Sequence, residues 1–158
     1  MTAPGPAAAP ELAILIGLPG SGKTSFVRAR LGGHVHVSND LMKGSARGAG
    51  RTAAQVAEAL AAGRSVTVDN VNARVADRAP LIAAARAQGA RVVGYLLDTE
   101  ARECLRRNRA REGAARVPDV AIFVSRKRLQ PPTLAEGFDA LFGVSAEEGQ
   151  FSVTPLQP

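Results

Sequence analysis

Residues 17–24 read Gly17-Leu18-Pro19-Gly20-Ser21-Gly22-Lys23-Thr24, a complete G-x-x-x-x-G-K-[ST] phosphate loop. Gly17, Gly20 and Gly22 let the backbone take turns closed to residues with a Cβ. Successive N–H groups can then point inward at phosphate oxygens. In this pattern Lys23 reaches the β- and γ-phosphates, and the Thr24 hydroxyl ligates Mg²⁺. The expected nucleotide-binding set is Gly17, Pro19, Gly20, Ser21, Gly22, Lys23, Thr24 and Ser25. The flanks agree with it. Leu12-Ala13-Ile14-Leu15-Ile16 is a continuous apolar run, as in a buried parallel strand. The segment from Thr24 to Leu31 can open a helix whose N-terminus faces an anion.

Guanine-specific proteins of this kind read the base with an [NT]-K-x-D segment. The only lysines are Lys23, Lys43 and Lys127, and neither of the last two has those neighbours. ATP is therefore the expected nucleotide. At 158 residues the chain reads as one domain, too short for an oligomeric motor module with its own lid domain. The expected layout is a flexible leader over 1–10, a single domain over 11–153 and a flexible tail over 154–158. The leader is rich in Ala, Pro and Gly and lacks the basic start of a secretory signal. No apolar run approaches the ~20 residues of a membrane span. One cysteine, Cys104, leaves no internal disulfide and fits a cytoplasmic location. It reads as a structural thiol in a helix.

Net charge is +6, and all but three of the 20 basic side chains are arginine. Arginine's planar fork suits phosphate, and a basic balance favours an anionic partner. An Arg-rich codon usage gives the same composition, so the charge by itself selects no partner.

Strand and helix alternate along the chain. Strands are expected at 12–16, 34–37, 65–68 and 91–97, with a weak last strand within 141–153. Helices are expected at 24–31, 52–62, 75–88, 100–111 and 118–129, and residues 38–50 read as loop. This alternation means an α/β fold, a parallel sheet with helices on both faces. Ligands then lie at the C-terminal ends of the strands.

Two carboxylates fall at such ends. Asp69 follows Ser65-Val66-Thr67-Val68 and is expected to touch Mg²⁺, directly or through water. An Asx turn is the plainer use of it. Asn70 and Asn72 make the same tip polar and are candidate substrate contacts. Asp40 ends Val37-Ser38-Asn39-Asp40 and is the best-placed general base for an attacking hydroxyl. Capping a short turn is its alternative. Asn39 and Lys43 lie beside it, Lys43 where a substrate phosphate could sit. Arg102, Arg106, Arg107, Arg109 and Arg111 spread over two helix faces, as in a short arginine-rich lid closing over phosphates. Arg106 and Arg109 are taken as catalytic and Arg107 as a nucleotide contact. Arg126-Lys127-Arg128 ends another helix, where cations suit the dipole or line a groove. His34 and His36 share a strand side without a third metal ligand and read as structural.

With these residues in order, the chain resembles the kinase domain of polynucleotide 5′-kinases, the P-loop kinases fused to 3′-phosphatases. The resemblance runs over about residues 12–143. It is carried by the phosphate loop, Asn39-Asp40, Val68-Asp69-Asn70-Val71-Asn72, Arg106-Arg107-Asn108-Arg109 and Pro132-Thr133-Leu134-Ala135-Glu136-Gly137-Phe138. It implies a nucleotide kinase-like P-loop fold, ATP and Mg²⁺ as cofactors, and a DNA or RNA 5′-hydroxyl as acceptor. It gives Asp40 the role of general base, places Asp69 at the transfer centre, and puts one of Arg106, Arg107 or Arg109 on the ATP phosphates. The family carries arginine at the positions of Asn39 and Lys43. Aromatic residues are only 4% of the chain, and no base-stacking platform stands out. Zeta-toxin-like kinases also place an Asp after the second strand. Kinases of a nucleoside, sugar or other small metabolite, and an ATPase or regulatory module with water as acceptor, share most of these features.

Overall fold

A computed structural model describes residues 9–38, 47–147 and 149–156. The sheet has six strands: β1 (Glu11–Ile16), β2 (Val35–Val37), β3 (Val66–Val68), β4 (Arg91–Leu97), β5 (Ala140–Glu147) and β6 (Gln150–Pro155). The helices between them are α1 (Lys23–Arg30), α2 (Arg47–Ala61), α3 (Val75–Ala87), α4 (Ala101–Arg109) and α5 (Asp119–Arg128). The sheet order is β2-β3-β1-β4-β5-β6. The first five strands run parallel, and β6 pairs antiparallel with β5.

The continuous apolar run of β1 follows from burial on both faces. Leu12, Ile14 and Ile16 pack with Val56 and Leu60 of α2 and with Leu81, Ile82 and Ala85 of α3. Ala13 and Leu15 face the other way, onto Phe26 and Val27 of α1 and Val144 of β5. A third cluster joins Leu18 of the phosphate loop to Cys104 of α4 and Ile122 of α5.

Three expectations need revision. Helix α2 begins at Arg47, inside the stretch read as loop. Gly48 and Gly50 lower helix propensity there, and packing of α2 against α3 and the sheet overrides it. The expected single last strand is a hairpin, β5 and β6, turning at Gly149 with φ +76°. Strand β6 runs through Pro155, and Leu156 N–H donates to the Leu141 carbonyl at 3.0 Å. The chain is thus tied to the sheet beyond residue 153. At the other end, the Pro10 carbonyl accepts from Arg91 N–H at 3.2 Å.

The Pro132–Phe138 segment has a scaffolding geometry. Leu134–Glu136 is a 3₁₀ turn closed by a Thr133/Glu136 capping box. Glu136 reaches inward to Arg78 of α3, a fully buried arginine. Gly137 has φ +115°, and a Cβ there would stand 2.9 Å from Ile82. The turn therefore seats Phe138 in the core and launches β5.

Candidate active site

The phosphate loop joins β1 to α1 and is braced from three sides. Gly17 N–H donates to the Val71 carbonyl at 3.1 Å. The Asn72 side-chain amide donates to the Leu15 carbonyl at 2.7 Å. Asn72 holds φ 47°, a left-handed position that Asn tolerates better than most residues. From the turn between β4 and α4, the Thr99 hydroxyl donates to the Ser21 carbonyl at 2.9 Å. From α4, the Cys104 carbonyl lies so close to Gly20 that a Cβ there would sit 2.6 Å from it. Gly20 and Gly22 have φ +82° and +99°. Only glycine meets both demands at position 20.

Lys23 Nζ donates to the carbonyls of Gly17 and Leu18, both at 2.9 Å. Its ammonium thus spans the mouth of the loop. Thr24 Oγ1 donates to Asp69 Oδ2 at 2.7 Å. Asp69 is nearly buried, and its N–H is held by the Val37 carbonyl at 2.8 Å. A carboxylate only accepts, so the Thr24 hydrogen is committed and its lone pairs are left for a cation. Thr24 and Asp69 could hold a hard divalent ion. No group of three or more His, Cys, Asp or Glu with metal spacing exists among the described residues. That donor set fits Mg²⁺, which keeps waters and takes phosphate oxygens rather than filling a protein cage.

His36 also enters this site. Its Nε2 lies 2.8 Å from the same Asp69 Oδ2. Nε2 carries the hydrogen, since the carboxylate cannot donate. His34 Nδ1 is 2.9 Å from the Thr67 hydroxyl, farther back along the strand pair. The parallel register Val37↔Val68 brings the two strand tips together.

Of the lid arginines, Arg107 is the one over the loop. Its Nη1 lies 3.5 Å from the Gly20 carbonyl and would stand 3.3 Å from a Cβ on Gly22. Its Nε donates to Glu103 Oε1 at 3.2 Å. Arg106 Nε donates to Glu103 Oε2 at 3.0 Å, and Arg109 Nη2 to Asp119 Oδ2 at 3.1 Å. Both of these are exposed. The Glu103 carboxyl is drawn down to about 2, chiefly by the Arg106 hydrogen bond and the charge of its two arginine neighbours. Burial pushes the Cys104 thiol up, despite Lys23 and Arg107 nearby, so it is a packing residue.

The structure therefore brings together the phosphate loop, Lys23, Thr24, Asp69 and Arg107, with Asn70 at the same tip. Arg106 and Arg109 are engaged elsewhere, and the Asn72 amide is committed to the main chain. Asn39, Asp40 and Lys43 lie outside the described residues. Two contributors were not read from sequence. His36 required the register of β2 on β3. Arg78 donates to the Asn72 carbonyl at 2.9 Å and so holds the Asp69–Ala73 loop. Its signal was available, since residues 78, 81, 82 and 85 form one helical stripe and the other three are apolar.

Residues 12–132 match the family described as AAA domain. A protein of Acanthamoeba polyphaga mimivirus, named as a bifunctional polynucleotide phosphatase/kinase, is 30% identical over 139 residues. The match takes in 83% of this chain but 32% of the relative, so the chain spans about a third of that protein's length. Kti12 of Chaetomium thermophilum, solved with ADP-AlF3, superposes at TM-score 0.70 with 17% identity, over 85% of this chain and 88% of that one. A gluconokinase of Sinorhizobium meliloti 1021 superposes at 0.61 with 19% identity, over 87% and 83%. At these identities the likeness is one of fold. The family match, the phosphate loop braced by Asp69 and the lid arginine agree: the chain belongs to the AAA domain family, as a P-loop kinase domain.

Proposed function

We propose that this domain is an ATP-dependent kinase that moves the γ-phosphoryl to the 5′-hydroxyl of a polynucleotide. The observation that carries the chemistry is the Thr24–Asp69–His36 line, with Arg107 laid over Gly20 and Gly22. The acceptor class is supported by the polynucleotide phosphatase/kinase relative, and by the sequence Asn39-Asp40 placed one residue beyond the end of β2.

In this reading the loop N–H groups and Lys23 hold the β- and γ-phosphates, and Arg107 meets charge on the transferring group. Thr24 and Asp69 hold Mg²⁺, which neutralises phosphate charge when bound. His36 keeps the Asp69 carboxylate turned to Thr24. Asp40 takes the proton of the acceptor hydroxyl as its oxygen bonds to the γ-phosphorus and the bond to the ADP oxygen breaks. Asn39, Asn70 and Lys43 orient the acceptor, Lys43 as a point charge in place of an arginine fork.

A second reading keeps the chemistry and changes the acceptor to a small metabolite. It is favoured by a cavity of about 450 Å³ between β2 and α2, lined by His36, Gln55, Glu58 and Arg64. Labelled γ-phosphoryl transfer from ATP to 5′-hydroxyl DNA, 5′-hydroxyl RNA, nucleosides and sugars separates the two. Label on the oligonucleotides, with Asp40→Asn losing about 10²-fold in transfer but keeping ATP affinity, is the expected result. Label only on sugars or nucleosides overturns the polynucleotide acceptor.

A further inference from the structure

Among the described residues, the arginines and lysines differ in whether a carboxylate meets them. Arg74, Arg78, Arg86, Arg91, Arg106, Arg107 and Arg109 each meet a carboxylate. Arg102, Arg126, Lys127 and Arg128 meet none among the described residues, and all four are exposed. Arg28, Arg30, Arg64, Arg111 and Arg116 likewise join no ion pair among the described residues, but only at the end of α5 do three such cations, Arg126, Lys127 and Arg128, stand in succession, with Arg102 on α4 lining the same groove as Arg126. The same helix α5 turns apolar side chains outward: Val120 is 63% exposed, Phe123 48% and Val124 39%. Its inner side is anchored by Ile122, buried with Cys104 and the loop residue Leu18.

Phe123 stands at a groove of about 700 Å³ beside the phosphate loop, with Arg102 and Arg126 on its walls, Leu18 at its base and Asp98 and Glu100 at its β4 end. Phe123 and Arg126 are one helical turn apart and so share a side of α5. On the other flank of the helix, Val124 and Arg128 border a smaller cleft of about 150 Å³ shared with Asn72 and Arg74. An exposed aromatic face between unneutralised arginines is the pairing that single-stranded nucleic acid requires. Bases stack on the ring and the phosphates meet the cations. The two carboxylates repel phosphate from the β4 end and leave the α5 end as the cationic one.

Resting on the polynucleotide reading above, we propose that the outer face of α5 binds single-stranded nucleic acid beyond the reacting nucleotide. One base stacks on Phe123, and the adjoining phosphates contact Arg126 and its neighbours.

Fluorescence anisotropy of a labelled 5′-hydroxyl single-stranded 12-mer, without ATP and over a salt series, tests this on the full chain. Phe123→Ala is expected to weaken binding about tenfold, and Phe123→Trp to restore it. Arg126→Ala is expected to flatten the log–log salt slope by about 0.7. In transfer assays the Phe123→Ala loss on the 12-mer should exceed its loss on a dinucleotide at least severalfold. Unchanged 12-mer affinity in Phe123→Ala, with an unchanged slope in Arg126→Ala, overturns the surface even if wild type phosphorylates oligonucleotides. Wild type that binds the 12-mer through these residues but phosphorylates none upholds the surface and overturns the acceptor. No binding at low salt overturns both. Concentration-dependent self-association abolished by Phe123→Ala, with 12-mer affinity unchanged, would give the face to a second copy and overturn the proposal.

Discussion

Arg78 and Glu136 meet through two parallel contacts, Nε to Oε1 at 2.8 Å and Nη2 to Oε2 at 3.0 Å, with side chains 0% and 7% exposed. The same guanidinium donates to the Asn72 and Ala73 carbonyls. One arginine thereby fixes both the turn before β5 and the loop after β3. Arg78→Ala leaves a buried carboxylate without its cation and the Asn72 carbonyl without its donor, while the Ala73 carbonyl keeps the Gln130 N–H at 2.7 Å. It is expected to cost about 3–5 kcal/mol of stability. Denaturant unfolding of the variant checks this, and a loss below 1 kcal/mol would contradict the described geometry.

His36 shares Asp69 Oδ2 with Thr24. His36→Ala should let the carboxylate swing and raise the half-saturating Mg²⁺ for transfer about tenfold. His36→Gln keeps a donor and should recover most of it. The same rise in both variants would deny the hydrogen bond its role.

Arg107 is the only one of Arg106, Arg107 and Arg109 that touches the phosphate loop. Arg107→Ala should therefore reduce kcat about 10²–10³-fold. Arg106→Ala and Arg109→Ala should fall within an order of magnitude of wild type. Steady-state kinetics with ATP decides it, and equal losses in all three would move the catalytic contact elsewhere.

Ser21 Oγ is fully buried without a hydrogen-bond partner among the described residues. The Ser21 backbone N–H already donates to the Leu18 carbonyl at 3.1 Å, and the hydroxyl is sealed from the mouth of the loop. Ser21→Ala should leave ATP affinity nearly intact and shift stability by less than about 1 kcal/mol, upward if at all. Isothermal calorimetry and thermal unfolding test the two halves separately.

Glu103 has its folded-state carboxyl lowered to about 2 from 4.5. The carboxylate is thus preferred in the native state, and its contribution is full above about pH 4.5. It is lost as pH falls toward 2. The gap in melting temperature between wild type and Glu103→Gln should be widest near neutral pH and close through that window. A constant gap would place the effect outside this ion pair.

Much of this was legible in the chain. The boundaries of β4 matched the expected 91–97, and those of α3 matched to within a residue between Val75 and Gly89. The phosphate loop carried its own context. The hairpin of β5 and β6 was less legible, because β6 alternates exposed and half-buried residues along the rim of the sheet and reads as weak strand or tail. The placement of Arg106 and Arg109 depended on Glu103 and Asp119, residues whose charge alone names no partner. Buried Arg78 was hidden by the habit of reading helix arginines as solvated. His36 was hidden because its partner lies 33 residues away and meets it only through strand register. An aromatic content of 4% shows no base-stacking platform, and composition does not say that Phe123 faces outward.

The two rims of the sheet bear on how the protein behaves when crowded. A parallel sheet with a long bare edge invites strands of neighbouring molecules to add on. Here one rim is β2, three residues long, and the other is β6, which ends in Pro155, a residue with no N–H to offer. A passing strand finds only a short ladder at the first and a terminated one at the second. The fold is thereby guarded against edge-to-edge aggregation at both sides of the surface on which its phosphate chemistry is mounted.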